Sequence, residues 1–170
     1  NFDILVHSGG YNVPMAFETI TDEEIQKSMY ANAFGFLHVV RVCLPYWKIS
    51  GWGRIVVLSS LYGFLGRYNR LPYVMSKHAL NGVVKTLAIE LAPIGVLVNS
   101  VSPGYIATTL TSRNNSSEDI KKLVKGIPVG RLGTADEVAK AVEFLSSHLN
   151  TYINGHDLVV DGGFSIGGFQ

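Results

Sequence analysis

The sequence predicts an α/β fold with a doubly wound parallel sheet in one domain, and two observations carry that expectation. Short β-branched runs alternate along the 170-residue chain with longer stretches whose apolar residues recur at helical spacing. At 47% apolar and 16% charged residues, the chain is composed to bury one core of ordinary size.

Strands are expected at residues 3–6, 54–58, 96–101 and 157–160. Between the first two, Thr21 with Glu24 has the spacing of a capping box, opening a long helix that runs towards Val42 with Gly35 as a bend point near Asn32. Pro72 suits a first helical turn, and Val74, Leu80, Val83, Val84, Leu87 and Leu91 supply the apolar stripe of a helix over residues 73–91. Ser117 starts a shorter helix. Thr134 with Glu137 caps another, with Val138, Ala141, Val142 and Leu145 at helical spacing.

Bulk properties exclude several function classes. A net charge of +1, with Lys and Arg scattered, offers no basic stripe for nucleic acid. The longest uncharged run, residues 91–112, holds two prolines and several hydroxyls, so it reads as strand and loop and not as a membrane span. The single cysteine, Cys43, lies in an apolar stretch and is expected to be a buried thiol, which fits a reducing, cytoplasmic compartment. No metal-ligand pattern, repeat or low-complexity tract stands out.

The chemistry-bearing pattern is Tyr73-Val-Met-Ser-Lys77, with Ser60 ending the second strand. Tyr73 and Lys77 are at i and i+4, so both project from one helix face. A free phenol titrates near ~10 and is a poor base at neutral pH. A nearby ammonium would favour the phenolate, and a serine hydroxyl would stabilise charge on a substrate oxygen. The bland alternative is equally open on these three residues alone: a packed tyrosine, a solvated lysine and a serine that ends a strand.

In its wider context the pattern resembles the classical short-chain dehydrogenase/reductase family. Asn32 in Tyr30-Ala-Asn-Ala-Phe-Gly35 is similar to the asparagine that holds a water in that family's proton relay. The segment from Asn99 through Pro103-Gly104 to Thr108 resembles the one lining the nicotinamide. Ile127-Pro-Val-Gly-Arg131, Glu137-Val-Ala, Phe144-Leu-Ser, Ile153-Asn-Gly155 and Val160-Asp-Gly-Gly163 follow in the family's order. The resemblance implies a secondary alcohol/ketone oxidoreductase using NAD or NADP. It gives Asn32, Ser60, Tyr73 and Lys77 as catalytic residues, and Gly9, Tyr73, Lys77, Pro103, Gly104 and Thr108 as cofactor contacts. It also implies a small-molecule alcohol or ketone substrate, as for 3-oxoacyl carrier-protein reductases or sugar and polyol dehydrogenases. A homodimer or homotetramer would form through the helices near Thr21 and Tyr73. The loop residues Tyr62, Phe64, Arg67, Tyr68 and Arg70 would line an apolar or anionic pocket, or simply pack.

Two departures accompany the resemblance. Where the family has Asn-Asn-Ala-Gly, this chain has His7-Ser8-Gly9-Gly10, with His7 expected to be a satisfied loop histidine. The first recognisable strand matches the family's fourth, so the Rossmann-type domain over residues 1–170 is expected to lack the first three strands and the phosphate fingerprint that separates NAD from NADP. The pairs Gly9-Gly10, Gly162-Gly163 and Gly167-Gly168 are not expected to open a phosphate-binding helix. An alternative reading is therefore a non-catalytic half fold that acts only through subunit association.

Overall fold

The computed structural model describes residues 2–167. Its strands are β1 (Ile4–His7), β2 (Gly53–Leu58), β3 (Val96–Pro103) and β4 (Asp157–Val160), and its helices are α1 (Asp22–Met29), α2 (Gly35–Ser50), α3 (Leu71–Leu91), α4 (Thr109–Asn114), α5 (Ser117–Lys125), α6 (Ala135–Ser146) and α7 (Phe164–Gly167). The four strands form one parallel sheet in the order β1-β2-β3-β4. Val6 pairs with Val56, Val56 with Asn99, and Val101 with Leu158.

Residues 55–58 of β2 and 96–98 of β3 read as continuous apolar runs because helices cover both faces of a parallel sheet. Ile55, Val57, Val96 and Val98 point to one face, where Phe36, Val40, Cys43 and Trp47 of α2 meet Leu80, Val84, Ala88 and Leu91 of α3. Val56 and Val101 point to the other, against Val138 and Leu145 of α6. Alternation along a strand is what feeds two cores from one run. β1 is the outer strand among the described residues, and Ile4 and Val6 are 47% and 45% exposed.

The long helix expected after Thr21 is two helices joined by a π turn over Tyr30–Phe34, and it continues through Pro45 to Ser50. The bend therefore lies just before Gly35, in the widened turn that holds Asn32. Gly51, with φ 67°, ends α2 in the left-handed conformation. Only half of the expected first capping box forms: Thr21 accepts from Glu24 N, while the Glu24 carboxylate accepts from Tyr11 Oη at 2.8 Å. The box at Thr134 and Glu137 is complete, and so is a second at Ser116 and Asp119. Among the described residues, no helix is long and apolar enough to cross a membrane.

Candidate active site

The C-terminal ends of β1, β2 and β3 open into a cleft of about 450 Å³. This is where open α/β sheets place ligands, because loops leave the strands there in opposite directions. Gly9, Ser60, Tyr73, Lys77, Pro103, Gly104 and Thr108 all line it. Asn32 does not; it is fully buried behind the loop that follows β1.

Ser60 stands one residue past the Ser59 that follows β2, in extended backbone. Its Oγ accepts from Tyr62 N at 3.2 Å, and its carbonyl accepts from Ser102 Oγ at 3.0 Å. Beneath it lies a polar network that the sequence reading missed. The Asp157 carboxylate accepts from Ser100 Oγ and Ser102 Oγ, both at 2.8 Å, and from Asn81 Nδ2 at 3.2 Å. Asn81 Oδ1 in turn accepts from Ser59 Oγ at 2.6 Å. The signal for it was the Ser100/Ser102 pair, which strand alternation puts on one face.

Tyr73 and Lys77 sit on the first two turns of α3, with Lys77 Nζ 5.7 Å from the centre of the Tyr73 ring. Nζ donates to Leu58 O at 2.7 Å, and the side chain is 3% exposed. Burial lowers the Lys77 pKa to about 8. Burial also raises the Tyr73 phenol, while the Ser60 hydroxyl and the Arg70 charge pull it back down. An ammonium carries three donors and Lys77 spends one on protein, leaving two N–H groups in a buried site, a donor set that suits a diol such as a nucleotide ribose.

The Asn32 side chain is fully spent. Its amide donates to Tyr11 O at 2.9 Å and to Ser76 Oγ at 2.8 Å, and its oxygen accepts from Tyr11 N at 2.7 Å. This clamp ties the loop after β1 to the π turn. His7 is not the satisfied histidine expected: its Nδ1 is buried without a hydrogen-bond partner, and its ring packs against Phe36. Burial and the Lys77 charge push its pKa down, so the ring stays neutral and pays no charge penalty there.

Gly104 has a structural reason of its own, since a Cβ there would come within 2.7 Å of Asp161 Cβ at the end of β4. Thr108 is the N-cap of α4, its hydroxyl accepting from Thr111 N at 3.3 Å. Of the loop aromatics and arginines, Tyr62, Arg67 and Arg70 line the cleft; Phe64 and Tyr68 do not. Gly162-Gly163, expected to lack a following helix, leads into α7, a single turn of four residues. Gly9-Gly10 is followed by chain without regular structure up to residue 16, and Gly168 lies outside the described residues. Among the described residues, no cluster of three or more metal-ligating side chains occurs.

Known proteins share this sequence and arrangement. A family profile described as enoyl-(acyl carrier protein) reductase matches residues 1–165. Glucose 1-dehydrogenase of Gluconobacter oxydans is 37% identical over 168 residues, 98% of this chain and 63% of the relative. The 3-oxoacyl-[acyl-carrier-protein] reductase FabG of Aquifex aeolicus is 40% identical over 162 residues, 95% of this chain and 64% of the relative. A crystal structure of a gluconate 5-dehydrogenase from Burkholderia cenocepacia J2315, in complex with NADP and tartrate, superposes with a TM-score of 0.92 at 29% identity, over 96% of this chain and 64% of that one. The chain thus spans a little under two thirds of the length of these relatives. A profile match over nearly the whole chain, two relatives at this identity and a matching fold lead to one conclusion: the chain belongs to the short-chain dehydrogenase/reductase family.

Proposed function

We propose that the cleft is the catalytic half of an NAD(P)-dependent oxidoreductase that interconverts a small secondary alcohol and a ketone. One observation carries the reading: Ser60, Tyr73 and Lys77 open into the same cleft as Gly9, the Pro103-Gly104 turn and Thr108. Tyr73 Oη gives its proton to the ketone oxygen in reduction and takes the alcohol proton in oxidation. Ser60 Oγ accepts from Tyr62 N and its hydroxyl neighbours the Tyr73 phenol; with substrate bound, its one hydrogen would turn from Tyr73 to that same oxygen as charge develops. Lys77, fixed on Leu58 O, directs its two remaining N–H groups to ribose hydroxyls. Gly9, Pro103, Gly104 and Thr108 form the walls against which a nicotinamide, NAD or NADP, would lie. When bound, that cofactor supplies or accepts the hydride.

Asn32, held by Tyr11 behind the cleft, would serve as the relay residue through a bound water. Exposed apolar side chains on α2 and α3, among them Val42, Ile49 and Ile89, support homodimer or homotetramer contacts in a cytoplasmic enzyme.

Replacing Tyr73 by Phe tests the assignment. In a chain completed to the length of its relatives, turnover is expected to fall at least about 100-fold. The dissociation constants of NADH and NADPH, read by fluorescence titration, should stay within about twofold, as expected for loss of a proton donor alone. Unchanged turnover removes Tyr73 from the chemistry. If neither dinucleotide binds, the non-catalytic half fold is favoured.

A further inference from the structure

The cleft carries more positive charge than the proton chemistry uses. Among the described residues lining it are three cations, Arg67, Arg70 and Lys77, and no Asp or Glu. Lys77 is buried at the floor and tied to Leu58 O. The two arginines have no carboxylate within ion-pair distance among the described residues, whereas the described ion pairs, such as Arg131 with Glu137, lie elsewhere. Asp119, whose carboxylate feels Arg67, is engaged by Ser116 N and Oγ at 3.1 and 2.6 Å.

Arg70 is the better placed of the two. Its Nη1 donates to Asn12 Oδ1 at 3.1 Å, a single bond from a guanidinium with five N–H donors, and that bond fixes the fork in the cleft wall. It is the residue that precedes α3, and no side chain caps that helix, so the positive end of a 21-residue helix adds to the field at the same spot. Across the cleft the hydroxyls of Tyr62 and Tyr105 are 2.6 Å apart. Whichever phenol accepts that bond keeps its own hydrogen for a third group. Burial and the Tyr105 contact raise the Tyr62 pKa, so the Tyr62 phenol stays protonated at physiological pH.

From this arrangement we infer that the substrate carries an anionic group, a carboxylate or a phosphate, which Arg70 receives with help from Arg67 and the Tyr62/Tyr105 pair. The inference rests on the oxidoreductase reading and deepens it: the substrate is a hydroxy or oxo acid, or a phosphorylated alcohol, and not a neutral one. A planar guanidinium fork matches both anions bidentately, and a partly buried arginine without a carboxylate gains most from one that arrives with the ligand. Leu58, Leu61, Ile106 and Leu110 leave apolar wall for a short carbon chain.

The test is a pair of ligands that differ in charge and by one methyl group, 3-hydroxybutyrate and its methyl ester, with inorganic phosphate as the third probe. Binding is followed by NMR titration, and turnover is measured with NAD⁺ and NADP⁺. The acid should bind at least about tenfold more tightly than the ester, and Arg70→Gln should remove about that factor for the acid while leaving the ester unchanged. Arg67→Gln, at the more exposed position, should remove a smaller factor and stands in if Arg70→Gln does not fold. Phosphate competing with the acid, and with lower affinity in Arg70→Gln, identifies a general anion site; phosphate without effect identifies a carboxylate site. Equal binding of acid and ester, or an Arg70→Gln variant that loses NADPH but not the acid, overturns the inference. Turnover of the ester as fast as the acid sinks it while the oxidoreductase reading stands. Arginine-dependent acid binding without turnover of either compound sinks that reading and leaves the anion site.

Discussion

At the floor of the cleft, Ser60, Tyr73 and Lys77 are carried by the end of β2 and by α3, elements packed into the core between the sheet and α2. At its mouth, Thr108, Leu110, Asn114 and Asn115 are carried by α4, α5 and their joints, short helices that bury no side chain. The floor is preorganised: each group there has its partner, from the Lys77 bond to Leu58 O to the hydroxyls gathered on Asp157. The mouth is held by local caps, the Ser116/Asp119 box and the Thr108 N-cap. Proton transfer needs fixed geometry, whereas substrate entry needs elements that open at low cost. If this division is real, damage at the floor should cost the whole fold, and damage at the mouth should stay local.

The sharpest break is expected at Asp157. Truncation to Ala takes the carboxylate from the fully buried Ser100 hydroxyl and leaves Ser102 and the Asn81 amide with only their carbonyl acceptors, Ser60 O and Gly63 O. A loss on the order of 3 kcal/mol in urea denaturation is expected, because buried polar groups left unpaired cost far more than a hydrogen bond contributes. Asp157→Asn should cost less, since the serine hydroxyls can rotate to suit an amide oxygen. A loss from Asp157→Ala no larger than from a cap mutation at the mouth would erase the distinction.

Lys77 gives the next effect, and its sign is fixed by the direction of the shift. The folded pKa of about 8 lies below the ordinary 10.5, so folding favours the neutral amine. Below pH 8 both states are protonated and the burial penalty is constant and at its fullest. As pH rises from 8 towards 10.5 the folded state sheds its proton first, and stability should increase relative to a Lys77→Met variant by on the order of 3 kcal/mol. Denaturation midpoints of both proteins across that window measure it. A flat difference would mean that Lys77 is hydrated and that the floor is as open as the mouth.

How far each region could be read from sequence follows the same division, but inversely in part. The triplet of Ser60, Tyr73 and Lys77 was legible because it lies on two adjacent elements with local spacing. The network that supports it was not, since Asp157 meets its partners across 55 to 76 residues. Strand register alone brings them together. A local rule failed where a distant group competed: Glu24 leaves the Thr21 box for Tyr11. The parallel sheet, by contrast, followed from its β-branched runs, although the one core expected from composition is two, one on each face.

The smallest expected effect is at the mouth. In α5, Ser116 Oγ accepts from Asp119 N at 3.1 Å, closing the capping box from one side. Ser116→Ala should destabilise that helix by about 1 kcal/mol, the usual worth of an N-cap. Because α5 buries no residue, the loss need not pass to the sheet. Amide exchange in α5 should accelerate about fivefold while the amides of β2 exchange as before, the pattern of local opening and not of global unfolding. If β2 accelerates by the same factor, α5 opens only with the core, and the mouth must then be counted as part of the floor it covers.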